Sequence, residues 1–228
     1  MSMATLVRAA VAAPLVRWSA LALVAASLAG CGSLLGGKKE PSTSYAPVVR
    51  AAQTQSWPQV RWQLSIGRAL GARNADSLRI AVRPTPNELQ VYKGAEWAKT
   101  PSEMIEDAVL HALEDSGRLP GVTRQGSGVG AHYRLLLDVR RFEADYAGAA
   151  VPSATVEVTA KLLHVKSLQL AGSQTFLQAQ PAGSTAVPDV VDAFERSLSQ
   201  ISNDLAGWTL TTGEAFERSG RGASADAR

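Results

Sequence analysis

The chain has 228 residues, a mass of 24.0 kDa and a formal charge of +3; 46% of its residues are hydrophobic and 19% are charged. That much apolar side chain excludes a wholly disordered protein, and so small a charge with no basic block excludes a nucleic-acid binder. A single cysteine, Cys31, excludes a fold held by internal disulfides.

The N-terminus carries Arg8 and Arg17, and no acidic residue precedes Glu40. The apolar run from Trp18 to Leu28 has 11 residues, whereas a helix needs about 20 to span a bilayer. Basic start, short apolar centre and small residues at the end predict a secretory signal peptide over residues 1–30. Leu28-Ala29-Gly30-Cys31 resembles the lipobox of bacterial lipoproteins. That resemblance implies cleavage before Cys31, thioether lipidation of its sulfur and acylation of the new amino terminus. Gly32, where retained inner-membrane lipoproteins often carry Asp, favours the outer membrane, periplasmic face. Losing Arg8 and Arg17 with the leader takes the formal charge from +3 to +1.

Residues 31–55, with "GSLLGGKKEPSTS", lack periodicity and predict a lipidated, flexible tether. Residues 56–212 have the length of one domain, and 213–228, with "EAFERSGRGASADAR", predict a disordered tail. Val60, Trp62, Leu64 and Ile66 alternate with polar residues and predict a half-buried strand; Leu78, Ile80 and Val82 repeat the pattern. "PTPNE" turns the chain into a short return strand at Leu89, Val91 and Tyr92. Thr100-Pro101-Ser102-Glu103 is a capping box with proline at the first helical position. The helix it starts has its apolar stripe at Ile105, Val109 and Leu113, and Gly117 is its stop.

Tyr133, Leu135, Leu137 and Val139 set one phase; Phe142, Ala144 and Tyr146 set another, so a β-bulge belongs near Arg140-Arg141. Ala154 to Leu162 alternate cleanly, and after Lys166-Ser167 come Leu168, Leu170 and Phe176. These three strands predict an antiparallel meander with one wet face. The last helix has apolar positions Val187, Val191, Phe194, Leu198, Ile201, Leu205 and Trp208, with Gly207 as its end. That spacing suits three coiled-coil heptads, or a narrow stripe laid on a sheet. The stripe is preferred because the sheet needs cover. The fold class expected is α+β: two layers, a mostly antiparallel β-sheet with two helices covering one face.

No catalytic constellation is legible. His111 has only Glu114 and Asp115 at metal-ligand spacing, His132 starts a strand and His164 ends one, so three or four ligands do not converge and no metal and no cofactor is expected. Gly126-Ser127-Gly128-Val129-Gly130 runs into a strand, not a helix, and so reads as a hairpin loop and not a phosphate cradle. Glu103, Glu106 and Asp107 in the first helical turns suit the helix dipole. Trp97 and Tyr92 are the candidate contacts with a partner or lipid; the plainer role for Trp97 is a staple on the helix start.

The lipobox, the tyrosine in "PSTSYAP", the run "LRIAVRPTPNELQVYKGAEWAKTPSEMIEDAVLHALEDSGRLPGV", the strand "AHYRLLLDVRRFEAD" and the final helix ending in Trp208 together resemble the ABC-type transport auxiliary lipoprotein family, which includes the PqiC-like lipoproteins. The resemblance implies an outer-membrane lipoprotein without catalysis, working with an MCE-domain protein and an ABC transporter permease and ATPase to move lipid between membranes. It also implies ring assembly in some members, and it carries over one residue, Cys31. Two other readings stand beside it: a lipoprotein that assembles or stabilises the outer membrane without a transporter, and an anchored periplasmic hydrolase, which would need a deep pocket with a perturbed acid.

Overall fold

The computed structural model describes residues 41–50, 56–72 and 76–225. Its strands are β1 (Thr43–Tyr45), β2 (Leu64–Ile66), β3 (Leu70–Gly71), β4 (Arg79–Arg83), β5 (Gln90–Trp97), β6 (Val122–Arg124), β7 (Tyr133–Asp145), β8 (Ser153–His164) and β9 (Gln169–Pro181). Its helices are α1 (Pro101–Ser116) and α2 (Val187–Ala225). Two helices pack on a mixed, mostly antiparallel open sheet, the α+β class expected.

β7 organises the sheet. One edge pairs along its whole length with β8, which pairs with β9, both antiparallel. The other edge is shared by three short parallel strands: β2 at Tyr133–Leu135, β3 at Asp138–Val139 and β4 at Ala144–Asp145. Outside them lie β6 on β2, then β5 on β4 and β1 on β5. The bulge falls where the phase slip puts it. Val139 opposes Val158 and Arg141 opposes Glu157, so Arg140 is the extra residue and Phe142 and Ala144 swing back to the helix side.

The sheet's covered face is Tyr133, Leu135, Leu137, Val139, Phe142 and Ala144 of β7 with Ala154, Val156, Val158, Ala160 and Leu162 of β8, all buried. α1 buries Ile105, Val109 and Leu113 against it, and α2 buries Phe194, Leu198, Ile201 and Leu205. Burying a Leu, Ile or Phe side chain contributes about 1.5–3 kcal/mol each, so this layer dominates the fold's stability. Thr100 caps α1: its Oγ1 accepts from Glu103 N at 3.5 Å, and Glu103 Oε2 accepts from Thr100 N at 3.0 Å. Gly117, at φ 60°, closes the helix in the left-handed region, where glycine costs least.

Four expectations change. The 60–66 alternation holds as burial, but only Leu64–Ile66 is strand, because β7 and β6 pair with it over three residues. The return strand runs on to Trp97, since β1 supplies it with a second partner. Gly207 does not end the last helix, and residues 213–225 are helix, not tail. A Cβ on Gly207 would meet Trp57 Nε1 at 2.6 Å, and one on Gly213 would meet Trp62 Cζ2 at 2.5 Å. Both glycines are places where an indole lies on the helix backbone, so the helix is held through them. Although α2 is 39 residues long, no described helix is long and apolar enough to cross a membrane.

Candidate functional site

Cys31, and with it the signal peptide and the first part of the tether, lies outside the described residues. The tether's far end lies inside them, and it is fastened to the body. Thr43, Ser44 and Tyr45 pair in parallel with Ala95, Glu96 and Trp97, and Ala98 N donates to Tyr45 O at 2.8 Å. Val48 N then donates to Glu195 Oε2 at 3.4 Å and Arg50 N to Ser199 Oγ at 3.3 Å, both on α2. The body therefore begins near residue 42, earlier than position 56. A three-residue strand is too short to show a period.

Between this N-terminal strap and the two helices lies a groove of about 360 Å³, lined by Val48, Val49, Met104, Ala108, His111 and Leu198 among others. Its lining is mostly apolar, with Lys99, Asp107 and His111 as its polar groups. The strap thus packs over the seam between α1 and α2.

Beside it, a wider cleft of about 770 Å³ carries Arg68, Lys99, Glu103, Glu106, Asp107 and Arg124. Four of these charges pair with one another. Arg124 Nη2 donates to Asp107 Oδ1 at 2.6 Å and its Nη1 to Glu106, while Lys99 Nζ donates to Asp107 Oδ2 at 2.6 Å. Burial alone would raise the Asp107 carboxyl, but Lys99 and Arg124 hold it below the usual carboxylate range. A base or acid working near neutral pH needs the opposite shift. The start of α1 is likewise taken: Ser102 N donates to Asp76 Oδ1 at 2.9 Å and Ser102 Oγ to Asp76 Oδ2 at 2.9 Å. In the Gly126–Gly130 loop, Gly126 at φ 93° and Gly128 at φ 79° are turn positions.

The uncovered face of the sheet carries a second ionic cluster. Arg83 grips Glu143 with Nε at 2.8 Å and Nη2 at 2.9 Å, and Arg141 Nε reaches the same carboxylate at 2.8 Å. The Glu143 side chain is 5% exposed. Burial works to raise its carboxyl, and the Arg83 and Arg141 guanidiniums outweigh it, leaving it below the ordinary range. Nothing in the sequence pattern marked this pair, because Arg83 and Glu143 stand 60 positions apart on strands that meet only in the fold.

The three histidines are dispersed. His132 Nδ1 accepts from Gln63 N at 3.0 Å; His164 Nδ1 lies 2.8 Å from Ser167 Oγ, its ring against Tyr133 and Phe216; His111 borders the apolar groove. No group of three or more metal-ligating side chains occurs among the described residues.

The two candidate contact residues part company. Trp97 is 1% exposed and packs edge-on against Phe142 at 5.7 Å and Phe194 at 5.1 Å, so it is a core residue without surface for lipid or partner. The longer β5 carries it under α2. Tyr92 is half-buried beside Tyr146, and burial, with Tyr146 adding to it, pushes its phenol up to about 12.

A family model described as the ABC-type transport auxiliary lipoprotein component matches residues 44–206. A crystal structure of a Xanthomonas campestris protein of the DUF330 family is 48% identical, with a TM-score of 0.74, covering 77% of this chain and 99% of that one. A second solved structure, of an uncharacterised protein, is 14% identical with a TM-score of 0.57 over 73% of this chain and 97% of that one, and it speaks to the fold alone. A PelC dodecamer from Paraburkholderia phytofirmans aligns over 70% of this chain and 93% of that one at 12% identity and a TM-score of 0.39, too slight a likeness to carry weight. The comparison with curated proteins gives no match.

Proposed function

The chain belongs to the ABC-type transport auxiliary lipoprotein family, and from that premise we propose that it is an outer-membrane, periplasm-facing subunit of an intermembrane lipid transport system, held by acyl chains on Cys31. In this reading it docks with an MCE-domain protein and with the permease and ATPase of an ABC transporter, and it works by contact and not by catalysis. The observation that carries the reading is the lipobox at Leu28–Cys31 placed 12 positions ahead of β1. At about 3.3–3.6 Å per extended residue, that link holds the body within roughly 40 Å of the lipid surface. Several acyl chains at about 0.8 kcal/mol per buried methylene make such an anchor stable.

The paired charges of the cleft support contact over chemistry: Glu106 and Asp107 are matched by Arg124 and Lys99, and the shifted Asp107 is moved away from neutral. Crosslinking in intact envelopes, followed by purification of the tagged chain, should recover an MCE-domain protein. Recovery of outer-membrane assembly proteins in its place would favour the stabilising lipoprotein. For the anchor, Cys31→Ser should appear in the soluble periplasmic fraction; its retention in the membrane pellet would refute the lipid attachment.

A further inference from the structure

Two loops meet at one end of the sheet: residues 125–132, which lead into β7, and residues 165–168, which join β8 to β9. Val165 N donates to His132 O at 2.8 Å and ties them together. This end exposes apolar side chains: Val129 is 54% exposed, Leu168 77% and Leu170 52%. Leu168 sits at φ 56°, in the left-handed region that a bulky side chain rarely enters. Glycine or asparagine would make that turn without strain. The fold gains no packing from so exposed a leucine, so the strain has no structural return, and strain of that kind marks functional positions. The same end is cationic. No Asp or Glu occurs from residue 116 to 137 or from 158 to 188, whereas Arg134, Lys161 and Lys166 do. Between Val129 and Val165 opens a pocket of about 260 Å³ that Arg134, Ser65 and Gln125 help to line. Arg134 Nε is buried and has no hydrogen-bond partner among the described residues, although a buried donor ordinarily finds one. Arg124 borders the pocket too, but its guanidinium is held by Glu106 and Asp107. Glu214 and Glu217 lie beside His132 on the helix side, where Tyr133 Oη donates to Glu217.

We infer that this end of the sheet docks on an anionic phospholipid surface, with Arg134 receiving one headgroup phosphate in the pocket and Val129 and Leu168 entering the interface. Apolar side chains at two neighbouring loop tips, set among cations, match a surface that is negative at its headgroups and apolar beneath them. A guanidinium presents paired donors to phosphate oxygens. It also supplies the positive charge that the Gly126–Gly130 loop lacks, since that loop opens no helix. The register keeps the parts on one side. Arg134 opposes Leu163 and Leu163 opposes Leu170, and directly opposed residues share a face. The contact by itself is weak and salt-sensitive, so a salt wash separates it from an acyl anchor. It rests on the proposed Cys31 anchor only for keeping a membrane near.

The mature full-length chain carrying Cys31→Ser, and so without acyl groups, is sedimented with vesicles of phosphatidylcholine, either alone or with about 30% phosphatidylglycerol. It should bind the anionic vesicles, lose most of that binding at about 0.5 M salt, and leave the neutral vesicles unbound. Lys166→Gln and Arg134→Gln should each weaken binding about fivefold. Leu168→Gly should weaken it about tenfold without lowering the melting temperature, because glycine suits the left-handed turn. Circular dichroism checks the fold, and the exposed positions Lys166 and Leu168 keep the test standing should Arg134→Gln fold poorly. No binding to the anionic vesicles, equal binding to both kinds, or full binding by Leu168→Gly and Lys166→Gln overturns the proposal. So does a melting temperature raised by inorganic phosphate through Arg134 without vesicle binding, which would give the pocket to a free anion. Fractionation of Cys31→Ser cells after a salt wash tests the anchor separately, so either can fail alone.

Discussion

Trp62 presses on α2 at Gly213, so close that a Cβ on that glycine would stand 2.5 Å from the indole Cζ2. Trp62 is 3% exposed and backed by Tyr133, ring centroids 4.8 Å apart, so it has no room to retreat. In a free helix, Gly→Ala gains about 1 kcal/mol. Overpacking a tight contact costs about 1–3 kcal/mol. Gly213→Ala should therefore lower stability by roughly 1 kcal/mol, and Gly207→Ala against Trp57 should do the same. Gly220, in the same helix with nothing within 4 Å, is the control: Gly220→Ala should raise the melting temperature. A rise in all three would mean that the indoles do not hold the helix.

Residues 213–225 belong to the fold, and a chain ended at Thr212 should show it. Tyr133 Oη donates to Glu217 Oε1 at 2.9 Å, and the Phe216 ring stands edge-on to Tyr133 at 6.3 Å. Losing one hydrogen bond and a partly buried phenylalanine should cost roughly 3 kcal/mol in urea unfolding. An unchanged midpoint would return this segment to the status of a tail.

Glu143 should matter most of the ionic residues. Glu143→Gln leaves Arg83 and Arg141 facing a neutral group in a poorly hydrated place, at a cost of about 3 kcal/mol at neutral pH. Because its folded pKa lies below the ordinary value of 4.5, the folded chain binds fewer protons there than the unfolded one. Its contribution is complete above that value and is lost as pH falls through and below it. The gap in stability between native protein and Glu143→Gln should thus be widest at pH 7 and shrink toward pH 3. A gap independent of pH would show that the loss is steric.

The α1 start offers a smaller, cleaner effect. Thr100→Ala removes the cap of Glu103 N and should cost about 1 kcal/mol, read as a shift in urea midpoint without change in slope. A neutral result would mean that Asp76, which holds Ser102 N, satisfies the helix start alone.

The sequence by itself determined what depends on near neighbours. Thr100 and Glu103 are three residues apart, so their reciprocal cap could be read directly. The alternations of β7 and β8 are 13 and 12 residues long, enough for a period of two to show its one-residue slip at Arg140. Only the tertiary structure decided what depends on distant partners. β1, β2, β3 and β6 are two or three residues long, and they are strands because β5 and β7 pair with them. Trp97 became core because β5 runs under Phe194, and Gly207 and Gly213 became contact points because Trp57 and Trp62 fold onto them. A glycine's local preference is to stop a helix, worth about 1 kcal/mol, and a buried indole in contact outweighs it.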